Sequence, residues 1–322
     1  MGDNIYIASL CSRFMKRAKA IPEQIDIQVT GRCNARCGMC IQEITYKAQD
    51  QGERIFSEGV QRNLQSFYEL RGKKIIITGG EPTLVPGRVE LVLEIAHSLG
   101  NWDLIAMYTN GSGLTREHLR DPSRSIAQRL KDLSLQCIDL SVHHYDSEKN
   151  RSIFGSRQID PVQVSTHLQK IGLPFRYCAT LQRGGLESGK EVLEYLKFAQ
   201  QNGAKDVYFR ELFRVDRTQV THPERVNYLD EHLVSLNTIL GDLSMRGYSP
   251  IDSRNDFQGR KKTQLEYRTS GGFPFYFSQL EIGREVKEEL PYLVIMPNGQ
   301  LHSTWHGKGD YIDDLKEYLR PE

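Results

Sequence analysis

Short runs of β-branched and aromatic residues alternate along the first two thirds of the chain with longer segments whose apolar positions recur at helical spacing. The short runs predict strands and the longer segments predict amphipathic helices. Strands are predicted at 24–30, 73–78, 103–109, 137–143, 174–182 and 206–213, and helices at 57–70, 87–99, 114–133, 160–171 and 188–202. Strands that alternate with helices form right-handed βαβ units, so the predicted fold class is α/β with a parallel sheet.

Six such units make a partial (β/α)6 TIM-like barrel, in which the chemistry gathers at the carboxyl ends of the strands. Period-two alternation in the first strand separates an apolar face from a polar one, and the polar face is expected to line the barrel interior. Later strands add polar residues that share a face. The predicted interior residues are Asp26, Gln28, Thr30, Arg176, Cys178, Thr180, Tyr208 and Arg210.

The pattern changes after residue 214. A long helix is predicted at 224–246, followed by a polar, basic and glycine-containing segment at 252–272. Asn298-Gly299 stands between two apolar runs within 291–302, which predicts a hairpin, and a short helix is predicted at 311–319. We therefore divide the chain into an N-terminal extension at 1–21, a barrel at 22–215 and a C-terminal cap at 216–322.

Composition changes this picture little. The 322 residues include 42 basic and 41 acidic side chains, so no global field favours nucleic acid or a membrane surface as a partner. Apolar runs stay well below the ~18 residues that a membrane span needs. Six cysteines without an apolar N-terminal signal indicate a reduced, cytoplasmic chain.

The first candidate for chemistry is a cysteine motif, C-x3-C-x2-C, formed by Cys33, Cys37 and Cys40 directly after the first strand. Three thiolates at this spacing can hold one cubane iron–sulfur cluster and leave its fourth iron open, whereas an electron carrier normally closes every position with cysteine. A structural zinc site would need a fourth Cys or His close by, and the 56 residues after Cys40 contain neither. The motif therefore favours a cluster with an open iron.

The second motif is Ile75-Ile-Ile-Thr-Gly-Gly-Glu-Pro82, a buried strand that runs into two glycines. Adjacent glycines allow a close approach to the backbone. Alone, the tetrapeptide is more often an ordinary turn after a strand.

Together the two motifs resemble the radical S-adenosylmethionine (SAM) superfamily, whose core is a six-unit partial barrel. The resemblance implies one [4Fe–4S] cluster, SAM as second cofactor, an electron donor such as flavodoxin or ferredoxin, and a 5′-deoxyadenosyl radical that abstracts hydrogen. It also implies a SAM site. The residues that it assigns to SAM are Met39, Gly79, Gly80, Glu81, Pro82, Asn110 and Ser141.

Within the superfamily the chain is similar to the GTP 3′,8-cyclases and to the SPASM/twitch enzymes, where the C-terminal region binds an auxiliary cluster. Here no cysteine follows Cys178, so the tail resembles a twitch-like appendage without that cluster. The cyclase arginines that contact GTP align with Asp26 and Ile76, and neither residue can hold a triphosphate. The resemblance therefore speaks against GTP as the substrate.

Further substrate candidates are His143, Arg176, Arg210, His302 and His306. Asp26 either pairs internally with an inward arginine or joins that arginine in binding a substrate, and the sequence leaves both open. His302 and His306 suggest a metal pair but lack a third ligand, which favours a lid or packing role. Cys178 is either a small buried hydrophobe or a hydrogen-atom donor to a substrate radical.

Three functions fit the sequence. The first is a radical SAM enzyme acting on a small polar metabolite such as an amino acid, sugar or nucleoside. The second is a radical SAM modifier of a ribosomal peptide, disfavoured because only about twenty residues precede the first strand. The third is a non-enzymatic iron–sulfur protein, against which the Gly-Gly-Glu-Pro motif argues.

Overall fold

One large mixed sheet organises the computed structural model, which describes residues 22–40, 49–155, 160–212, 223–251, 264–278, 293–303 and 311–318. The strands are β1 (Gln24–Gln28), β2 (Lys74–Thr78), β3 (Leu104–Thr109), β4 (Glu117–His118), β5 (Asp121–Ser125), β6 (Cys137–Ser141), β7 (Phe175–Leu181), β8 (Val207–Glu211), β9 (Gln264–Arg268), β10 (Pro274–Ser278), β11 (Val294–Ile295), β12 (Leu301–His302) and β13 (Tyr311–Ile312). The 11-stranded sheet has the order β13-β12-β11-β1-β2-β3-β6-β7-β8-β10-β9, and β4 pairs with β5 separately.

Helices follow the strands as the sequence pattern predicts. They are α1 (Glu53–Glu69), α2 (Pro86–Leu99), α3 (Ile126–Asp132), α4 (Ser147–Phe154), α5 (Pro161–Ile171), α6 (Gly189–Gln201), α7 (Pro223–His232), α8 (Leu236–Met245) and α9 (Leu315–Tyr318). The six predicted strands are confirmed as β1, β2, β3, β6, β7 and β8, which are parallel neighbours. None of the described helices is both long and apolar enough to cross a membrane.

The main core lies between the outer face of this sheet and the helices. Ile25 and Ile27 of β1 are fully buried there, as are Ile75 and Ile77 of β2. Helix α1 covers part of this surface with an apolar stripe at helical spacing, which includes Phe56, Val60, Leu64 and Phe67. Burial of β-branched strand residues under amphipathic helices is the usual stabilisation of a parallel sheet.

The inner face is polar, and the sheet curves around it. Arg210 on β8 donates a hydrogen bond to the hydroxyl oxygen of Tyr108 on β3, although β6 and β7 lie between these strands. Side chains of strands so far apart meet only when the sheet is strongly curved. The arrangement therefore has the shape of the partial barrel that the sequence predicts.

Three helix predictions are wrong in part. Within 114–133 only α3 is helical, because Pro122 in β5 cannot donate a backbone hydrogen bond and Ser125 caps a helix that starts after it. The helix predicted at 224–246 is divided into α7 and α8, and Leu233 between them bridges to Gln182. The predicted 311–319 helix is shorter, since its first two residues form β13, which pairs with β12.

The C-terminal hairpin is confirmed as β11 and β12, with Gly299 at φ 79° in the turn. The sequence does not predict the second addition to the sheet. Strands β9 and β10 form a hairpin, and β10 pairs parallel with β8. The sheet therefore continues beyond both edges of the six-strand barrel.

Candidate functional site

The loop that follows β1 presents Cys33, Cys37 and Cys40, and hydrogen bonds fix it at its start. The Asp50 carboxylate accepts from the Thr30 hydroxyl at 2.6 Å and from the Gly31 amide at 2.8 Å. Farther along, the Arg36 amide donates to the carbonyl of Phe154 at 2.8 Å. The backbone that carries the thiols is therefore anchored to two other parts of the chain.

The Gly79-Gly80 turn packs directly on this loop. The Gly80 amide donates to the Thr30 carbonyl at 2.7 Å, and a Cβ on Gly80 would lie 2.1 Å from the Arg32 carbonyl oxygen. A Cβ on Gly79 would lie 2.7 Å from the Thr30 carbonyl oxygen. Both glycines are therefore needed for the approach of the cysteine loop itself, since any side chain would separate the two segments.

Glu81 ties this turn to the end of β3. One carboxylate oxygen accepts from the hydroxyls of Thr83 and Thr109, both at 2.6 Å, and the other accepts from the Asn110 amide at 2.8 Å. Burial raises the pKa of Glu81, and these hydrogen bonds oppose that rise. Because protein donors occupy the carboxylate, Glu81 positions the turn rather than reaching outward.

Asn110 joins β3 to the cysteine loop. Its side-chain amide donates to Asn34 Oδ1 at 2.9 Å, and Asn34 in turn donates to the Ser112 hydroxyl at 2.8 Å. Ser141 ends β6 on the inner face, in register with Cys178. The predicted SAM residues of the second, third and fourth barrel strands thus border the same end of the sheet as the thiols.

Met39 lies in a small apolar cluster beneath α7. It is buried with Leu212 and Leu229, and Tyr228 packs beside them. A Cβ on Gly38 would lie 2.5 Å from the Tyr228 ring, so α7 covers this side of the cysteine loop closely.

Two arginines lie on the inner face. Arg176 forms an ion pair with the fully buried Asp139, and its guanidinium lies 4.8 Å from the centre of the Tyr208 ring. Burial opposes the charge of Arg176, but the attraction of Asp139 outweighs it and raises the arginine's pKa. Arg210 instead contacts Tyr108, whose ring centre lies 4.7 Å from the guanidinium carbon.

Asp26 is also buried on the inner face, and its carboxylate accepts from Gln24 Nε2 at 2.8 Å. Burial raises the pKa of Asp26 to about 7, while Gln24 and the charge of Arg210 oppose that rise. Among the described residues, the internal partner of an inward arginine is Asp139 and not Asp26.

Cys178 and His143 complete the inner surface. Cys178 is buried between Ser141 and Tyr208 in the sheet register, and burial raises the pKa of its thiol. His143 Nδ1 accepts from the Thr180 amide at 3.3 Å, and burial lowers the pKa of the ring to about 4. The imidazole is therefore neutral at pH 7 and carries its proton on Nε2.

Only one of the two predicted C-terminal histidines lies among the described residues. His302 is buried in β12, aligned through Val294 with Asp26. His306 lies outside the described residues.

The chemistry of the cysteine loop fits an iron–sulfur cluster. Its donors are sulfur atoms, and the Cys33 sulfur also accepts a hydrogen bond from the Ala35 amide at 3.4 Å. In the described ranges no three His, Cys, Asp or Glu side chains converge as ligands of a single metal ion. A four-iron cluster does not require such convergence, because each cysteine binds a different iron.

A profile of the Radical SAM superfamily matches residues 27–208, from within β1 to within β8. The chain belongs to the radical SAM superfamily. Members of this superfamily are enzymes whose cofactors are a [4Fe–4S] cluster and SAM, and the cysteine loop and glycine turn lie inside the matched region.

The chain is similar to curated GTP 3′,8-cyclases. The probable GTP 3′,8-cyclase of Archaeoglobus fulgidus is 32% identical over 175 residues, which cover 53% of each protein. The Aquifex aeolicus GTP 3′,8-cyclase is 27% identical over 181 residues, covering 55% of this chain and 52% of that protein. The chain thus spans about half the length of the curated relatives it matches.

Two solved structures share the fold. Streptococcus suis SuiB bound to S-adenosylmethionine has a TM-score of 0.61 at 15% identity, covering 99% of this chain and 72% of SuiB. Native anSMEcpe with bound AdoMet has a TM-score of 0.51 at 14% identity, covering 92% of this chain and 79% of that protein. At these identities the likeness concerns the fold alone.

Sequence reasoning missed several residues of this region, namely Asn34, Asp50, Tyr108, Asp139 and Tyr228. Period-two alternation in β3 and β6 places Tyr108 and Asp139 on the inner face, so the signal that found Arg176 could have found them too. Asp50 and Tyr228 act through contacts across the fold, for which the local sequence carries no signal.

Proposed function

We propose that the chain is a radical SAM enzyme that cleaves SAM reductively and abstracts hydrogen from a small polar metabolite. The observation that carries this proposal is the packing of the Gly79-Gly80 turn onto the cysteine loop, at the open end of a polar inner face. When bound, the cluster and SAM supply a carbon radical capable of hydrogen abstraction. On this proposal, the protein holds the two cofactors and the substrate next to one another at the inner face of the sheet.

Individual residues receive roles on this proposal. Cys33, Cys37 and Cys40 would hold three irons, while the main chain of Gly79–Pro82, with Asn110 and Ser141, would bind SAM. Met39 would contact adenine from the α7 side. Glu81 fixes the turn through its four protein hydrogen bonds.

Substrate contacts would come from the inner face. Asp26, His143, Arg176 and Arg210 are the candidates, and Cys178 is the candidate hydrogen-atom donor. His302, in β12 beside the Asp26 row, borders the same face. His143 can donate only from Nε2, because Nδ1 already accepts the Thr180 amide.

GTP is a poor fit to this surface. On the inner face, the acid Asp26 of β1 lies in register with the alkyl side chain of Ile76 on β2. Neither can bind a triphosphate, so we infer a substrate different from that of the cyclases named above. An exogenous reductant or a small electron-transfer protein would deliver the electron.

A ribosomal peptide is the second candidate substrate. It is favoured by the likeness to SuiB, whose fold in the complex with precursor peptide SuiA matches 99% of this chain at a TM-score of 0.59. Buried charged residues on the inner face favour the small metabolite, because a peptide side chain needs no such array of charges.

SAM cleavage tests the proposal. The chain is reconstituted anaerobically with iron and sulfide, reduced with dithionite, and assayed for 5′-deoxyadenosine. We expect cleavage by the wild type, a weaker rate in Ser141→Ala and Glu81→Gln, and no change in Glu58→Gln, which removes an exposed carboxyl on α1. Absence of 5′-deoxyadenosine from a fully loaded wild type contradicts the proposal.

A further inference from the structure

The two inner-face arginines differ in how their charge is balanced. Arg176 has Asp139 as ion-pair partner and Asp206 as a second carboxylate nearby, both buried. A buried guanidinium with a hydrogen-bonded carboxylate is electrostatically satisfied. Arg176 therefore needs no charge from a ligand.

Arg210 has no direct ion-pair partner in the described part of the chain, although the charges of Asp139 and Asp26 act on it from a greater distance. Among the described residues no carboxylate oxygen lies within 4.0 Å of its guanidinium, and its hydrogen-bond partner is the neutral hydroxyl of Tyr108. Tyr108 stays neutral because burial raises its pKa well above the ordinary value. A guanidinium has five N–H donors, and among the described residues only Tyr108 accepts a hydrogen bond from Arg210, which leaves most of the fork available to a ligand within that part of the chain.

The surroundings of Arg210 place this charge where a substrate would lie. Arg210 is the fourth of the five residues of β8 and is therefore near its carboxyl end, in register with Thr180 and Ser278. Its side chain reaches across the interior to β3. Asp26 on β1 responds to its charge, but burial raises the pKa of that acid to about 7, so it is largely protonated below pH 6 and about half ionised at pH 7.

We propose that Arg210 binds an oxyanion of the substrate, either a carboxylate or a phosphate. An inward cation without a direct carboxylate partner costs free energy that an anionic ligand group recovers, and a guanidinium fork holds either anion through two parallel hydrogen bonds. This inference rests on the proposed function and narrows it. The substrate class becomes an amino acid, another carboxylic acid or a phosphate ester, and neutral sugars and nucleosides are excluded.

Anion binding tests the inference separately from turnover. Inorganic phosphate and acetate are titrated, in separate arms, into the reconstituted chain saturated with SAM, and calorimetry measures the affinity. We expect saturable binding of at least one anion, weakened at least tenfold in Arg210→Gln. Arg54→Gln removes an equal charge from the exposed surface of α1 and should bind like the wild type. Phosphate binding indicates a phosphate ester, and acetate binding indicates a carboxylic acid.

Arg210→Lys is a second, more conservative variant that keeps the test decisive if Arg210→Gln does not fold. It keeps the charge but not the fork, so its affinity should fall at least threefold, and circular dichroism checks both variants. Absence of saturable binding in the wild type, or equal affinity in the wild type and both variants that fold, overturns the inference. A wild type that cleaves SAM without binding either anion refutes only the role of Arg210, whereas a wild type that cannot cleave SAM refutes the proposed function.

Discussion

Replacement of Asp26 by asparagine should stabilise the protein more strongly as the pH rises. The carboxyl is buried at 7% exposure, and its pKa is raised from 3.8 to about 7 by that burial. The unfolded chain therefore ionises first, and the folded state loses stability between these two pH values. At 1.36 kcal/mol per pKa unit, the full loss is about 4 kcal/mol and is complete above pH 7.

Asparagine removes this titration but retains an oxygen for the Gln24 hydrogen bond. Its amide group costs about 1–2 kcal/mol to bury, and that cost is nearly independent of pH. The quantity to measure is therefore the change with pH in the stability difference between variant and wild type. We expect this difference to grow by about 4 kcal/mol between pH 4 and pH 8, with most of the change between pH 4 and 7.

Thermal unfolding followed by circular dichroism under anaerobic conditions provides the assay. At roughly 2 °C per kcal/mol for a chain of this size, the gap in melting temperature should widen by about 8 °C. Asp103→Asn removes an exposed carboxylate and supplies the baseline. A gap that stays constant from pH 4 to pH 8 would show that Asp26 is solvated or charge-paired, and the argument for an acid kept protonated by burial would fail.

Other consequences can be measured directly. Gly80→Ala should destabilise the fold by about 1–3 kcal/mol or more and reduce iron retention, since its Cβ would lie 2.1 Å from the Arg32 carbonyl oxygen. Gly87→Ala is the control, because open space surrounds that glycine. Equal iron content in the two variants would contradict the packing of Gly80 on the cysteine loop. Reconstituted wild type should contain one four-iron cluster per chain, and Cys37→Ala should lose it, as iron analysis and electron paramagnetic resonance can check. Eight irons per wild-type chain would refute the inference that the C-terminal region holds no auxiliary cluster. Asp139→Asn should cost about 3–5 kcal/mol by leaving Arg176 buried without its partner, measured by thermal unfolding, and a loss below about 1 kcal/mol would show that the pair is solvated. Cys178→Ala assayed with the true substrate in deuterated buffer should change the label in the product if the thiol donates hydrogen, and an unchanged rate and label assign Cys178 to packing.

Much of the barrel was predictable, because its strands carry strong local signals. The isoleucines of β1 and β2 alternate or cluster as buried strands do, and Asn298-Gly299 predicts its hairpin from turn chemistry alone. The β9–β10 hairpin was not predicted. Its residues gain their pairing from the exposed edge of β8, a partner more than fifty positions earlier in the chain.

The candidate site was predictable to a smaller extent. Cysteine spacing and the glycine pair identify the cofactor segments, because metal binding by a thiol and the small size of glycine are properties of the residues themselves. Arg176 pairs with Asp139, and not with Asp26, because β6 and β7 are adjacent strands and their register places these two residues side by side. Sequence periodicity assigns a face to each residue but not its register with the neighbouring strand.

The contact between the glycine turn and the cysteine loop has a consequence for the order of assembly. Thr30 and Gly80 are joined by a backbone hydrogen bond of 2.7 Å across fifty positions of chain. A nascent chain that ends shortly after Cys40 contains every thiol of the motif but lacks the surface that shapes their loop. We therefore expect cluster insertion into the native site to follow the pairing of β1 with β2. An iron-loaded site would then report that these two strands have already come together.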